Sequence, residues 1–299
     1  MATVGVLCAR GRVEEKTLMA ALAEAGIVSA LFPPADEPLP VDPLPAGAAR
    51  RAFASPQIVV DRHPNRQIAR AVLTTCRALH VPALCAGIAA TGDRLDVASA
   101  LAGNGLPRPA TALCTSEAAA LRAVTAMGLP ATLLPIDLKS DPIAILDTDA
   151  AEAVLEHRAV LGGPVGSLGL IQSGSPTPEE LATVIVVDGV AIALECAAAR
   201  RVPDTALRLA EAAAGALWAD LVAVVICFSG SDGPIVWDVR PVPEFRRAIP
   251  LTDTTVAHAI ATAVTRRLGA TVTAATTEEQ PDWSALVKQG IRRDLVVSA

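Results

Sequence analysis

The 299-residue chain contains no tyrosine, and aromatic residues of all kinds make up 2% of it. Single-stranded nucleic acid is held by stacking bases on aromatic rings, so that ligand class is excluded. Lysine is almost as scarce: of the 25 basic residues only Lys16, Lys139 and Lys288 are lysines. A nucleotide site built on two lysines therefore has few candidates. Positive charge as a whole is in deficit, 25 Lys and Arg against 31 Asp and Glu for a net charge of −6, which argues against binding a phosphate backbone. No uninterrupted apolar run reaches the ~18 residues of a membrane span. The start, MATVGVLCARGR, lacks the basic, apolar and cleavage regions of an export signal. The six cysteines (Cys8, Cys76, Cys85, Cys114, Cys196, Cys227) form no CxxC pair, so metal clusters and dithiol chemistry have no support. They read as buried thiols in a reducing cytoplasm.

What is present is a foldable chain, 52% hydrophobic and 19% charged. Residues 2–8, 27–32, 57–61 and 82–85 read as strands, with helices over 13–26 and about 65–79 between them. That alternation predicts a parallel, Rossmann-like lobe over 1–88, although GxGxxG is absent. The proline-rich stretch 33–45 suits no regular element. A second lobe over 89–172 carries helices at 92–104, 117–127 and 147–163, a strand led into by the prolines of LPRPATALCT, and strands at 129–136 and near 167–172. A third over 173–275 has strands near 182–188, 190–195, 221–228 and 234–240, with helices at 203–217 and 253–268. Residues 276–299 read as a weakly tethered tail.

The run TGDRLDVASALAGNGLPRPATALCTSEAAALRAVTAMGLPATLLP, followed by DAAEAVLEHRAVLGG, resembles the ATP-grasp ligases of the RimK type. It is most like the LysX and ArgX enzymes that join α-aminoadipate or glutamate to the carrier protein LysW. The likeness extends to VLCARGRVEEKTLMAALAEAG, LIQ, VIVVDGVAIA and IVWDVRPVPEFRRAI, which together span most of residues 1–268. It implies an α/β and α+β fold of three lobes, the ATP-grasp arrangement. In that family ATP lies between two antiparallel-sheet lobes and phosphorylates a carboxylate, and an amine then attacks the acyl phosphate. Lysines and a glycine loop hold the triphosphate, and acidic residues hold Mg²⁺.

The positions that resemblance assigns to the chemistry carry other residues here. The first phosphate lysine falls on Arg94, which keeps the charge and changes its shape. The second falls on Leu134, and Lys139 lies an odd number of positions away, on the opposite side of a continuing strand. The glycine loop is replaced by DLKSDP, and the adenine-edge acid, next to Gln172, by Ser173. The Asp-x-Arg pair falls on Glu180 and Ala182. Of the metal ligands, one aspartate falls on Val225 and the Asn-Glu-x-Asn set on Trp237, Asp238 and Arg240. The family's substrate loop is largely missing between Glu195 and Pro203.

The resemblance therefore leaves a vestigial nucleotide cleft of Arg94, Lys139, Gln172 and Ser173, with Asp238 as the remaining metal candidate. Asp238 either holds a hydrated ion or pairs with Arg240 or another basic residue, and Arg94 either meets a phosphate or is a solvated helix residue. Asp61, Arg62, Asn65 and Arg66 match a stretch that in the family lies by the amino-acid substrate, and otherwise read as an ion-pair cluster at a helix start. The four histidines share no metal-ligand spacing. The first functional expectation is a homologue that has lost ligation and acts as a binding or regulatory protein without ATP or Mg²⁺. Its partner would be a functional paralogue or a small acidic carrier, in a cytoplasmic homo-oligomer without nucleic acid or membrane. The alternatives are an active ATP- and Mg²⁺-dependent ligase using Arg94, Lys139 and Asp238, and an enzyme of another class that takes a small anion.

Overall fold

The structure, a computed structural model, describes residues 3–34, 56–138, 140–161, 168–196, 202–228 and 233–277. Most of the 33–45 stretch and all but the first two residues of the 276–299 tail lie outside these, as does Lys139. No helix among the described residues is long and apolar enough to cross a membrane.

The N-terminal lobe is parallel throughout. β1 (Thr3–Leu7), β2 (Val28–Phe32), β3 (Ile58–Asp61) and β4 (Ala83–Leu84) take the order β2-β1-β3-β4, with α1 (Val13–Glu24) and α2 (Arg66–Ala78) as connections. The order reverses between β1 and β3, so a crevice opens beyond the carboxyl ends of those two strands. α2 starts where Asn65 accepts from the amides of Gln67 and Ile68 at 3.0 and 3.2 Å.

The central lobe is antiparallel, with β5 (Thr111–Cys114), β6 (Ala131–Pro135), β7 (Ile143–Ile145) and β8 (Gly169–Ser173) in the order β5-β8-β6-β7. α4 (Glu117–Met127) and α5 (Thr148–Leu161) cover it, and Cys114, Val124, Leu133, Ile145 and Ile171 form a core that belongs to this lobe alone.

The third lobe orders β9 (Leu181–Val187), β10 (Val190–Cys196), β11 (Leu221–Cys227), β12 (Ile235–Arg240) and β13 (Ile249–Pro250) as β12-β11-β9-β10-β13. Alternation along β11 sorts its neighbours. Val222, Val224 and Ile226 pack toward α6 (Asp204–Ala216), whereas Leu221 and Ala223 share a core with Val4, Leu22 and Val60 of the first lobe and Val264 of α7 (Val256–Thr277). On that same face, farther along, Val225 and Cys227 form a small cluster with Trp237. The first and third lobes are thus joined by a common core, whereas the central lobe keeps a core of its own and meets the third-lobe core through Leu138.

Two expectations need correction. The last helix spans Val256–Thr277 rather than 253–268, with Gly269 inside it. α3 (Arg94–Gly103) follows the central-lobe boundary in sequence, yet Val97 and Leu101 are buried in the core built on α6 and the third sheet.

Candidate functional site

A cleft of about 680 Å³ opens where the three lobes meet, a size within the range of roughly 300–1,000 Å³ usual for small-molecule sites. Its N-terminal wall is the crevice beyond β1 and β3. There Arg62, buried, donates from Nε to Glu15 Oε1 at 3.3 Å and from Nη1 to the Pro243 carbonyl, and its guanidinium lies 5.0 Å over the Phe245 ring. Burial lowers the Arg62 pKa, and the adjacent Glu15 carboxylate works against that shift. The other Glu15 oxygen accepts from the Arg12 amide at 2.8 Å. The Cys8 thiol in the same wall is pushed up, first by burial and then by the charge of Glu15.

Asp61 and Arg66 form a second buried pair, with Nη2–Oδ2 at 2.6 Å and Nη1–Oδ1 at 3.3 Å. Arg66 also donates to the carbonyls of His63 and Ala90, at 2.7 and 3.0 Å. Its Nε, also buried, has no hydrogen-bond partner. Asp61 thus pairs with Arg66 and Arg62 turns to Glu15, while Asn65 is exposed and its side chain is committed to the cap of α2. Arg10 and Arg12, at the cleft between β1 and α1, add exposed positive charge.

The opposite wall is built differently. Arg94 is 4% exposed and not a solvated helix residue. Its Nη1 shares its protons among the carbonyls of Pro135, Asp137 and Ser140, at 2.9, 2.7 and 2.9 Å. Its other face meets Asp238, Nε to Oδ1 at 3.3 Å and Nη2 to Oδ2 at 3.2 Å. Arg94, not Arg240, is thus the ion-pair partner of Asp238. The register explains why. Val225 pairs with Asp238 but Ile226 pairs with Val236, so Trp237 is the extra residue of a β-bulge. A bulge sends consecutive side chains to the same side. Trp237 and Asp238 both line the cleft, while Val236 and Val239 turn to the core on the other face.

Trp237 closes the inner end of this wall. Its ring packs with Val225 and Cys227, and Gln172 Nε2 donates to its carbonyl at 3.3 Å from across the lobe boundary. Between Leu134, Gln172, Trp237 and Asp238 only about 30 Å³ remains, room for about two water molecules. Ser173 is half-buried at the end of β8, its amide donating to the Ala110 carbonyl at 2.9 Å.

No family model matches the chain. Solved structures do. It superposes on a RimK-domain ATP-grasp protein from Sphaerobacter thermophilus with a TM-score of 0.73 and 25% identity, over 88% of this chain and 100% of that one. The fold is that of the RimK-type ATP-grasp proteins. Other ATP-grasp neighbours include a D-cycloserine synthetase (TM-score 0.61, 20% identity, 89% of this chain and 99% of that one). A Bacillus anthracis D-alanine–D-alanine ligase solved with ATP also matches, at TM-score 0.60 and 14% identity over 89% of this chain and 92% of that one.

Glu15, and the bulge that turns Trp237 into this cleft, escaped the sequence reading. Glu15 did leave a signal: it falls on the buried stripe of α1 with Leu18 and Leu22, three and seven positions on, where a lone acid requires a cation. The Trp237 bulge left none, because strand pairing decides it.

Proposed function

We propose that this ATP-grasp chain has lost ATP-dependent ligation and serves as a binding or regulatory protein that holds a small anion against the Arg62 wall of the cleft. The Arg94–Asp238 pair carries this reading. In the family the corresponding positions face the phosphates and their magnesium; here both carboxylate oxygens of Asp238 are taken by a guanidinium. A cation in that place repels Mg²⁺. Among the described residues no three His, Cys, Asp or Glu side chains converge to replace the lost ligands. The Trp237 ring, at a position the resemblance assigns to the metal ligands, is apolar, and only about 30 Å³ remains between it, Leu134 and Gln172. These residues do not fit Mg²⁺-nucleotide, and we derive no step through it.

The remaining cleft favours an anion. Arg62 and Arg66 are held by their carboxylate partners, the buried Arg66 Nε is without a partner, and the exposed Arg10 and Arg12 line the cleft nearby. A partner protein, such as a paralogue or a small acidic carrier, would meet the exposed Arg10 and Arg12 at the cleft mouth.

Calorimetric titration with a non-hydrolysable ATP analogue, with and without Mg²⁺, tests the loss of nucleotide binding. No heat at millimolar nucleotide is expected, together with a thermal shift on adding glutamate or α-aminoadipate. Magnesium-dependent micromolar binding would sink this reading in favour of the active ligase.

A further inference from the structure

The three lobes are not joined alike. The first and third share one apolar core, whereas the core of the central lobe draws on its own strands and helices only. Leu138 packs on the third-lobe core, buried Leu134 and Leu170 face Leu101 and Trp237, and Gln172 reaches the Trp237 carbonyl; the charged tie among these contacts is at Arg94.

α3 is anchored in the third lobe through Val97 and Leu101. At its start the chain makes a two-bond bridge to the segment after β6: the Arg94 amide donates to the Ile136 carbonyl at 2.7 Å, and the Leu138 amide to the Gly92 carbonyl at 2.8 Å. The Arg94 side chain then collects the carbonyls of Pro135, Asp137 and Ser140 on the central-lobe side and Asp238 of β12 on the other. Both charged ends are nearly sealed from water, with side-chain exposures of 5% and 11%. Ionic hydrogen bonds in such surroundings are strong, and leaving either charge unpaired is costly.

We infer that Arg94 and Asp238 form a latch that holds the central lobe closed on the third lobe with no ligand between them. It rests on the reading that nucleotide binding is lost, since the latch occupies the positions where a bound nucleotide would otherwise bridge the lobes. The consequence is a cleft that is preformed on its N-terminal side and, on the other, bounded by a pair that holds the central lobe in place.

Hydrogen exchange on the full chain tests this, comparing wild type, Asp238→Asn and Arg94→Lys, each with and without a Mg²⁺-ATP analogue. In Asp238→Asn the amides of Arg94, Leu138 and β6 should exchange at least about tenfold faster, while those of β1, β3 and β11 stay as protected as in wild type. Arg94→Lys keeps the charge but not the several-sided reach, and should fall between the two. It also serves if the first variant does not fold. Lobe-boundary amides as protected in both variants as in wild type would overturn the latch, whatever nucleotide does. Protection of wild type by nucleotide would instead overturn the reading of lost nucleotide binding, leaving the variant comparison to judge the latch.

Discussion

The backbone of Gly92 runs so close against the side chain of Arg66 that a β-carbon at position 92 would overlap the Arg66 β-carbon. The contact ties the buried Asp61–Arg66 pair of the first lobe to the start of the latch helix. Gly92 also has φ of +77°, a conformation that side-chain-bearing residues adopt at a cost. Gly92→Ala should therefore destabilise the chain by about 3 kcal/mol, combining backbone strain with displacement of a packed arginine. Denaturant unfolding checks this, and a loss of under about 1 kcal/mol would mean that Arg66 yields easily.

Asn65 and Arg62 should separate cleanly when mutated. Asn65→Ala removes a helix cap and should cost about 1 kcal/mol of stability with anion affinity unchanged. Arg62→Lys keeps the charge but gives up the geometry that faces Glu15 and Phe245 together, and should weaken anion binding by about tenfold. Paired calorimetry and melting curves distinguish the two.

Trp237→Ala should cost about 3 kcal/mol, because the ring is 8% exposed and its removal leaves a cavity against Val225 and Cys227. The enlarged space restores none of the missing phosphate or metal ligands. The variant should thus melt earlier and still give no heat with Mg²⁺-nucleotide.

Alkaline pH should destabilise the fold through its thiols. Burial pushes Cys76 up from 9.0 to about 11, and Cys8, Cys85 and Cys114 move in the same direction. A thiol with a raised pKa holds its proton more tightly folded than unfolded. Its contribution is complete below about pH 9 and is lost as pH climbs toward 11. For Cys76 this amounts to about 3 kcal/mol. Denaturant midpoints measured from pH 8 to 10.5 should fall, and fall less steeply in Cys76→Ala.

Much of the architecture was legible because local signals agreed with tertiary ones. The cap residue Ser116 and the apolar runs IVV of β3 and LVAVVIC of β11 placed a helix and two buried strands within a residue or two. β7 and β13, three and two residues long, are too short to carry a periodic signal. The candidate site was harder to read. Arg94 begins a helix behind the cap residue Asp93, which is where a solvated arginine would also be expected. Only the fold brings Asp238 and three carbonyls to it. The bulge at Trp237 likewise exists only relative to β11, so nothing in the order IVWDVR announces that two neighbouring side chains share one side.

Val4 and Val264 lie near opposite ends of the described chain and share one core, while the core of the central lobe is drawn from residues 114–171. On a ribosome the middle of this protein can therefore condense first. The apolar face of the first lobe must wait for α7 to emerge before it is covered, a long-range closure of the kind that slows folding and exposes sticky intermediates. Assembly runs from the centre outward, and a chain truncated before α7 would leave its beginning unfinished.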